Sequence, residues 1–218
     1  MKKLNTILFL LLIISVFCIS FVFAKEKLPF EDKIIYLDAG HGGLDPGAIN
    51  NKYEKDIVLT ITKKLAVELE KQGATVYMTR YDDYDLAAPH LKERKLSDLQ
   101  NRARLINNSD CDLYLSIHLN ADSSSKYRGA QVFYTNKNDN NKELANEIQK
   151  VFRKQLYSSR NIQTIRDLYL YRNIKKPGVL LELGFISNPN DFYLLNNNDH
   201  QMKVINSIIS GLKNYFSK

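Results

Sequence analysis

The chain has 218 residues, of which 44% are hydrophobic and 25% charged; this is the balance of one globular domain with a two-sided core and excludes a disordered or fibrous chain. Its formal charge of +7 comes from lysines and arginines dispersed among acids, a pattern that serves solubility or attraction to an anionic polymer. Two cysteines, Cys18 and Cys111, are too few for a disulfide scaffold.

At the N-terminus, Met1-Lys2-Lys3 precedes an uncharged run from Ile7 to Ala24 that ends Val22-Phe23-Ala24 before Lys25. This predicts a secretory signal peptide over 1–24, cleaved after Ala24, with an uncleaved membrane anchor as the alternative. Phe17 is too bulky before Cys18 for lipoprotein processing. Export disfavours nucleic acid as a partner and confines membrane contact to this N-terminal segment. A polar linker is expected over 25–32, ending near Pro29, and a single domain over 33–218.

Ile34 to Leu37 reads as a buried strand running into the loop Asp38-Ala-Gly-His-Gly-Gly43. Glu54 to Gln72 carries the apolar spacing of a largely buried helix closed by Gly73. Ala74 to Met78 is a second strand, and residues 81–95 form a polar excursion rich in Asp and Tyr. A helical stripe of Leu96, Leu99, Ala103 and Ile106 follows. Strands are expected at Leu113 to Ile117, Gly129 to Tyr134 and Val179 to Leu183, with helices from about Asn141 to Leu156 and Asp199 to Phe216 and a helix start at Ser187-Asn-Pro-Asn190. Strands alternating with helices predict an α/β fold: one layered domain with a twisted, mainly parallel (mixed) central sheet flanked by helices.

Loops beyond the carboxyl ends of such strands line the ligand crevice. His41 follows the first strand, His118 follows the Leu113 strand, and Glu54 opens the first helix. Two imidazoles and one carboxylate form a common catalytic zinc set that leaves a position open. Each residue alone has a blander reading: a helix-start charge for Glu54, a turn residue for His41, a satisfied core histidine for His118. Glu182 stands in an apolar strand, where a carboxylate is costly unless paired or protonated. Beside an open metal position it would act as general base and then general acid. The alternative is an ion pair with Arg80 or Arg102. His90 and His200 are expected on the surface.

Asp38-Ala-Gly-His-Gly-Gly43, Glu54-Lys-Asp56, Met78-Thr-Arg80, Ser116-Ile-His-Leu-Asn-Ala121 and Leu181-Glu-Leu-Gly-Phe-Ile-Ser-Asn188 resemble the ordered motifs of the zinc-dependent N-acetylmuramoyl-L-alanine amidases. The resemblance spans nearly all of residues 33–217, with Ala39 where the family usually has proline and Lys52-Tyr53 where it often has a glycine. It implies that His41, Glu54 and His118 bind one catalytic Zn2+ and that Glu182 is catalytic. Asn120 and Arg80 are expected to touch substrate. Among its members the layout is most similar to the germination-specific enzymes of spore-forming bacteria. The implied substrate is therefore peptidoglycan of the spore cortex, and the implied location the cell envelope.

Two rivals remain: a zinc peptidase acting on the stem peptide, and a non-catalytic wall-binding protein with the same fold. A serine hydrolase would need a Gly-x-Ser-x-Gly elbow, which is absent, and Asp110 and Asp112 disfavour a Cys111 thiolate. Residues 81–95 have two readings: a docking site for a regulatory partner protein, motivated by Tyr81, Tyr84, Leu86 and Leu91 among polar neighbours, or an ordinary mobile surface loop.

Overall fold

In this computed structural model, residues 4–9 and 27–218 are described, apart from positions 91 and 166. The expected leader falls mostly outside the described residues; among these no helix is long and apolar enough to cross a membrane. Strand β1 (Ile34–Ala39) is followed by a hairpin of two-residue strands, β2 (Ile49–Asn50) and β3 (Lys52–Tyr53), helix α1 (Glu54–Glu70) and β4 (Thr75–Met78). Then come α2 (Arg94–Asn108), β5 (Leu113–Asn120), β6 (Gln131–Tyr134), α3 (Asp139–Leu156), β7 (Gln163–Thr164) and α4 (Tyr169–Asn173). The chain ends with β8 (Gly178–Phe185), α5 (Pro189–Leu195) and α6 (Asn198–Phe216).

The main sheet has six strands in the order β4-β1-β5-β8-β6-β7. All pairs are parallel except β6 with β8, which matches the expected mixed sheet. Side chains alternate between its faces with period two. Ile35, Leu37, Leu113, Leu115, Ile117, Val179 and Leu181 face the larger core under α1, α3 and α6. Helix α1 meets them with Ile57, Ile61, Leu65 and Leu69, one stripe at helical spacing.

The opposite face has a smaller core of Tyr36, Tyr114 and Leu180 under α2 and the five-residue α4. On this thinly covered side β1, β5 and β8 also present Asp38, Ser116, His118 and Glu182, so alternation gathers the polar groups on one face. Helix starts are set locally: Asn188 accepts from Asn190 N and Asp191 N, with Pro189 in the first turn, and Asn138 and Asn197 cap α3 and α6 in the same way.

Two stretches differ from their sequence reading. Within the expected linker, Phe30 is buried in the larger core and packs against Phe216; a single aromatic leaves no periodic trace. Residues 81–90 are a strap pinned to the Asp38–Gly43 loop and to α2. Asp83 accepts from Gly43 N at 2.9 Å and from Lys55 Nζ at 2.7 Å, while Asp98 accepts from Leu86 N at 2.7 Å.

Helix α6 crosses α3 at Gly211, where an added Cβ would lie 2.7 Å from Ile148 Cα. Gly211→Ala should therefore lower stability by about 1–3 kcal/mol, read as a fall in melting temperature; an unchanged melt would contradict this packing.

Candidate metal centre

The loop after β1 turns sharply because four residues adopt positive φ: His41 at 60°, Gly42 at 129°, Gly43 at 55° and Gly47 at 66°. For a histidine this region is uncommon and marks a position held by its surroundings. The turn aims His41 Nε2 at Glu54 Oε1, 3.2 Å away. His118 Nδ1 approaches the same oxygen at 3.1 Å. Gly47 makes room for both side chains, since a Cβ there would lie 2.6 Å from Glu54 Oε2 and 2.7 Å from His41 Cδ2.

One ligand-type atom from each of His41, Glu54 and His118 thus lies within 4.8 Å of the other two. Glu54 is held by backbone donors, Leu119 N to Oε1 and Ala48 N to Oε2, each at 2.9 Å. Burial opposes its ionisation, yet hydrogen bonds from His118 and His41 keep its pKa far below the carboxylate range. Burial likewise opposes charge on His41, but Asp45 and Glu54 raise its pKa to about 9. The centre is therefore built to hold positive charge. Two imidazole nitrogens and a carboxylate oxygen converging on one point are a donor set that fits zinc.

Asp45 went unassigned in the sequence. It faces His41 Nδ1 at 3.0 Å, leaving Nε2 directed to the cluster; a carboxylate on the remote nitrogen fixes tautomer and ring orientation in this way. Its only sequence signal is its place four residues after His41 in the same glycine-rich loop.

Two buried arginines shape the loop. Arg80 donates to Ala39 O at 3.0 Å, Gly40 O at 2.8 Å and Lys55 O at 2.9 Å. Arg102 donates to Ala39 O at 2.7 Å and His41 O at 2.5 Å. Arg80 was expected to touch substrate, but it has 0% exposure and no surface left to offer. Asn120, also expected there, is part-buried at the end of β5 outside the cavity lining, where its carbonyl accepts from Ile186 N at 2.8 Å.

His41 and His118 open on a cavity of about 180 Å³ whose other walls include Leu99, Leu168, Tyr171 and Glu182. Glu182 is paired in register with His118, so their side chains stand on adjacent strands on the same face. Neither Arg80 nor Arg102 reaches Glu182: Arg102 pairs with Asp38 and Asp98. The Glu182 Oε2 atom is buried with no hydrogen-bond partner. Burial pushes its pKa up to about 7, lowered by His118 and raised by Glu54, the range suited to a group that takes and returns a proton near neutrality. Of the other residues singled out, His90 is exposed, His200 is half-buried, and Cys111 is buried with its thiol pKa raised chiefly by desolvation.

The raised pKa of Glu182 has a thermodynamic signature. Its folded pKa of about 7 stands above the ordinary 4.5, so between those values the folded chain holds the proton more tightly than the unfolded one, and stability falls as pH rises across that window. In the metal-free protein Glu182→Gln should raise stability, with a gain that is below about 1 kcal/mol at pH 5 and grows to about 3 kcal/mol at pH 8. Melting curves at both pH values check this, and a gain independent of pH would contradict it.

Comparison with known proteins agrees with this geometry. The model of the N-acetylmuramoyl-L-alanine amidase family matches residues 35–214. The chain is 43% identical, over 100% of its length and 97% of the relative's, to the germination-specific N-acetylmuramoyl-L-alanine amidase of Bacillus subtilis. The structure of the CwlD amidase from Clostridioides difficile in complex with the GerS lipoprotein matches with a TM-score of 0.81 and 39% identity, covering 85% of this chain and 99% of that one. An N-acetylmuramoyl-L-alanine amidase from Clostridium difficile 630 matches with a TM-score of 0.76 and 31% identity, over 85% and 97% of the two chains. With a family model covering most of its length and full-length relatives on both sequence and structure, the chain belongs to the N-acetylmuramoyl-L-alanine amidase family.

Proposed function

We propose that this peptidoglycan amidase uses one zinc ion, held by His41, Glu54 and His118, to cut the bond between N-acetylmuramic acid and L-alanine in spore-cortex peptidoglycan, with Glu182 as the proton carrier. The observation that carries the reading is the unpartnered Glu182 carboxylate, in register with His118 and lining the same cavity as both histidines. The whole-length identity of 43% to a germination-specific amidase supports the cortex as the substrate.

A bound zinc ion would supply Lewis acidity, polarising the lactyl carbonyl and making nearby water more acidic. Glu182 takes a proton from the attacking water as its oxygen adds to the carbonyl carbon, then delivers that proton to the alanine nitrogen as the C–N bond breaks. The products are a muramyl carboxylate and a free L-alanine amine. Asp45 keeps His41 oriented, and Arg80 and Arg102 keep the loop carbonyls turned inward. The apolar wall of Leu99, Leu168, Leu170 and Leu180 limits water around the reacting amide.

The same reading includes export by the leader over 1–24 and control by a partner protein. The C. difficile CwlD amidase has been solved with a lipoprotein, and on this chain Tyr81 and Tyr84, within residues 81–95, are 55% and 40% exposed.

Glu182→Gln should keep its zinc and lose turnover by about 10²- to 10⁴-fold, whereas His41→Ala and His118→Ala should lose the metal itself. Elemental analysis beside an assay on purified peptidoglycan separates the two effects. Mass analysis of the digest should show stem peptides with a free L-alanine amine, and chelation should abolish them. Cleavage inside the stem peptide would instead identify a zinc peptidase.

A further inference from the structure

The active-site face of the sheet continues past Glu182 into a platform that the metal centre does not use. Where β8 meets β5 the pairing slips: His118 lies opposite Glu182, but Asn120 lies opposite Phe185, so three steps along β8 match two along β5. This bulge turns Phe185 to the face that carries His118 and Glu182, which strict alternation would deny it. Phe185 is buried and belongs to neither core. Its ring lies 6.3 Å from that of Tyr127, and the Arg160 guanidinium stands 4.7 Å from the Phe185 centroid and 5.5 Å from the Tyr127 centroid.

The platform lies close to the reacting site by two routes. Phe185 is three residues beyond Glu182 on β8, about 10 Å at the rise of a strand. Gln131, the β6 partner of Glu182, donates to Asn161 O at 2.8 Å, and Asn161 adjoins Arg160. Tyr127 is held from both sides: Asn188 Nδ2 donates to Ser125 O at 2.6 Å, and Asp191 Oδ2 accepts from Gly129 N at 2.7 Å and Phe185 N at 2.9 Å. A recognition group fixed in this way binds without first being ordered. Tyr127 is nevertheless 49% exposed. Of the Arg160 guanidinium only Nε has a hydrogen-bond partner among the described residues, Arg128 O at 3.2 Å, which leaves both Nη groups for a ligand.

We propose that this platform is a sugar subsite, on which a pyranose ring of the glycan strand stacks against the open part of Tyr127 while Arg160 donates to its oxygens. The inference rests on the reading of Glu182 and the His41–Glu54–His118 centre as the point of cleavage. The N-acetylmuramoyl unit of the family's substrate belongs to a strand that continues on both sides of it. Such a polymer cannot be enclosed by a cavity of about 180 Å³ and needs open surface, whereas the stem peptide is a single branch that can enter the cavity. A pyranose presents a face of C–H groups and a rim of hydroxyl and acetamido oxygens. The C–H groups are drawn to the negative face of an aromatic ring, and the guanidinium fork supplies donors to the rim. A separation of about 10 Å from Glu182 suits a ring further along the strand than the muramoyl unit being cut.

The test is calorimetric binding of two probes to the zinc-loaded full-length protein: peptide-free glycan strands of N-acetylglucosamine and N-acetylmuramic acid, and a free L-alanyl stem peptide. Tyr127→Ala should weaken glycan binding by about two- to tenfold without altering peptide binding, and Tyr127→Phe should retain it. The chain has no tryptophan, so Tyr127→Trp provides a single reporter whose fluorescence should shift on adding glycan and stay fixed on adding peptide. Equal glycan affinity in wild type and Tyr127→Ala, or a Tyr127→Trp signal that ignores glycan, overturns the proposal, as would happen if the surface served a partner protein. A Tyr127→Ala variant that loses both probes together also overturns it, since the ring would then be structural. Digestion of peptidoglycan by the wild type reports separately on the amidase reading, because absence of a free L-alanine amine would sink the site assignment whatever Tyr127 does.

Discussion

Two buried guanidinium groups hold the carbonyls of Ala39, Gly40 and His41, and the rest of the site depends on that capture. A histidine in the left-handed region is strained, and a sharp turn leaves carbonyls that must be satisfied without water. Arg80 and Arg102 meet both demands. Arg102 further ties the loop to Asp38 and Asp98, so strand end, loop and α2 are fixed to one another. Because both cations are desolvated, charge-assisted bonds to carbonyls and carboxylates are what make their burial tolerable.

On this frame two carboxylates, both close to the same histidines, are driven in opposite directions. Glu54 sits among backbone N–H groups and two imidazoles and is ionised far below the usual range, whereas Glu182, half-buried with one carboxylate oxygen buried and unpartnered, is pushed up to about 7. Such divergence separates a metal ligand from a proton carrier. Behind them Asp38 accepts from Arg102, Thr79 and Ser116, and Ser116 also meets the Tyr171 hydroxyl at 3.0 Å. Ser116 gives its hydrogen to Asp38, so the tyrosine must donate to Ser116. This polar seam runs beneath the cavity floor between α2, α4 and the sheet.

The sheet supplies placement rather than chemistry. Parallel strands β1, β5 and β8 end together, and the loops beyond their carboxyl ends form the crevice. One face is covered by three long helices, whereas the other carries the smaller core under α2 and the short α4. The cavity at the centre opens on that thinner side, between the sheet, α2 and α4.

Much of this was legible in the chain itself. Apolar runs announced β1, β5 and β8, helical spacing announced α1, α3 and α6, and their order implied a parallel sheet with His41 and His118 at strand ends and Glu182 within an apolar strand. Those signals are local, because periodicity and caps depend on neighbours a few residues apart. The short β2, β3, β7 and α4 have too few residues to show a period, and Phe30 gave no sign that it belonged to the core. Tertiary structure alone decided that Arg80 turns inward, that Asp45 orients His41, that the strap is pinned by Asp83 and Asp98, and that Glu182 has no arginine partner. Each of those outcomes is a contact between residues that strand register and loop closure bring together, and no spacing along the sequence specifies where a long side chain will end.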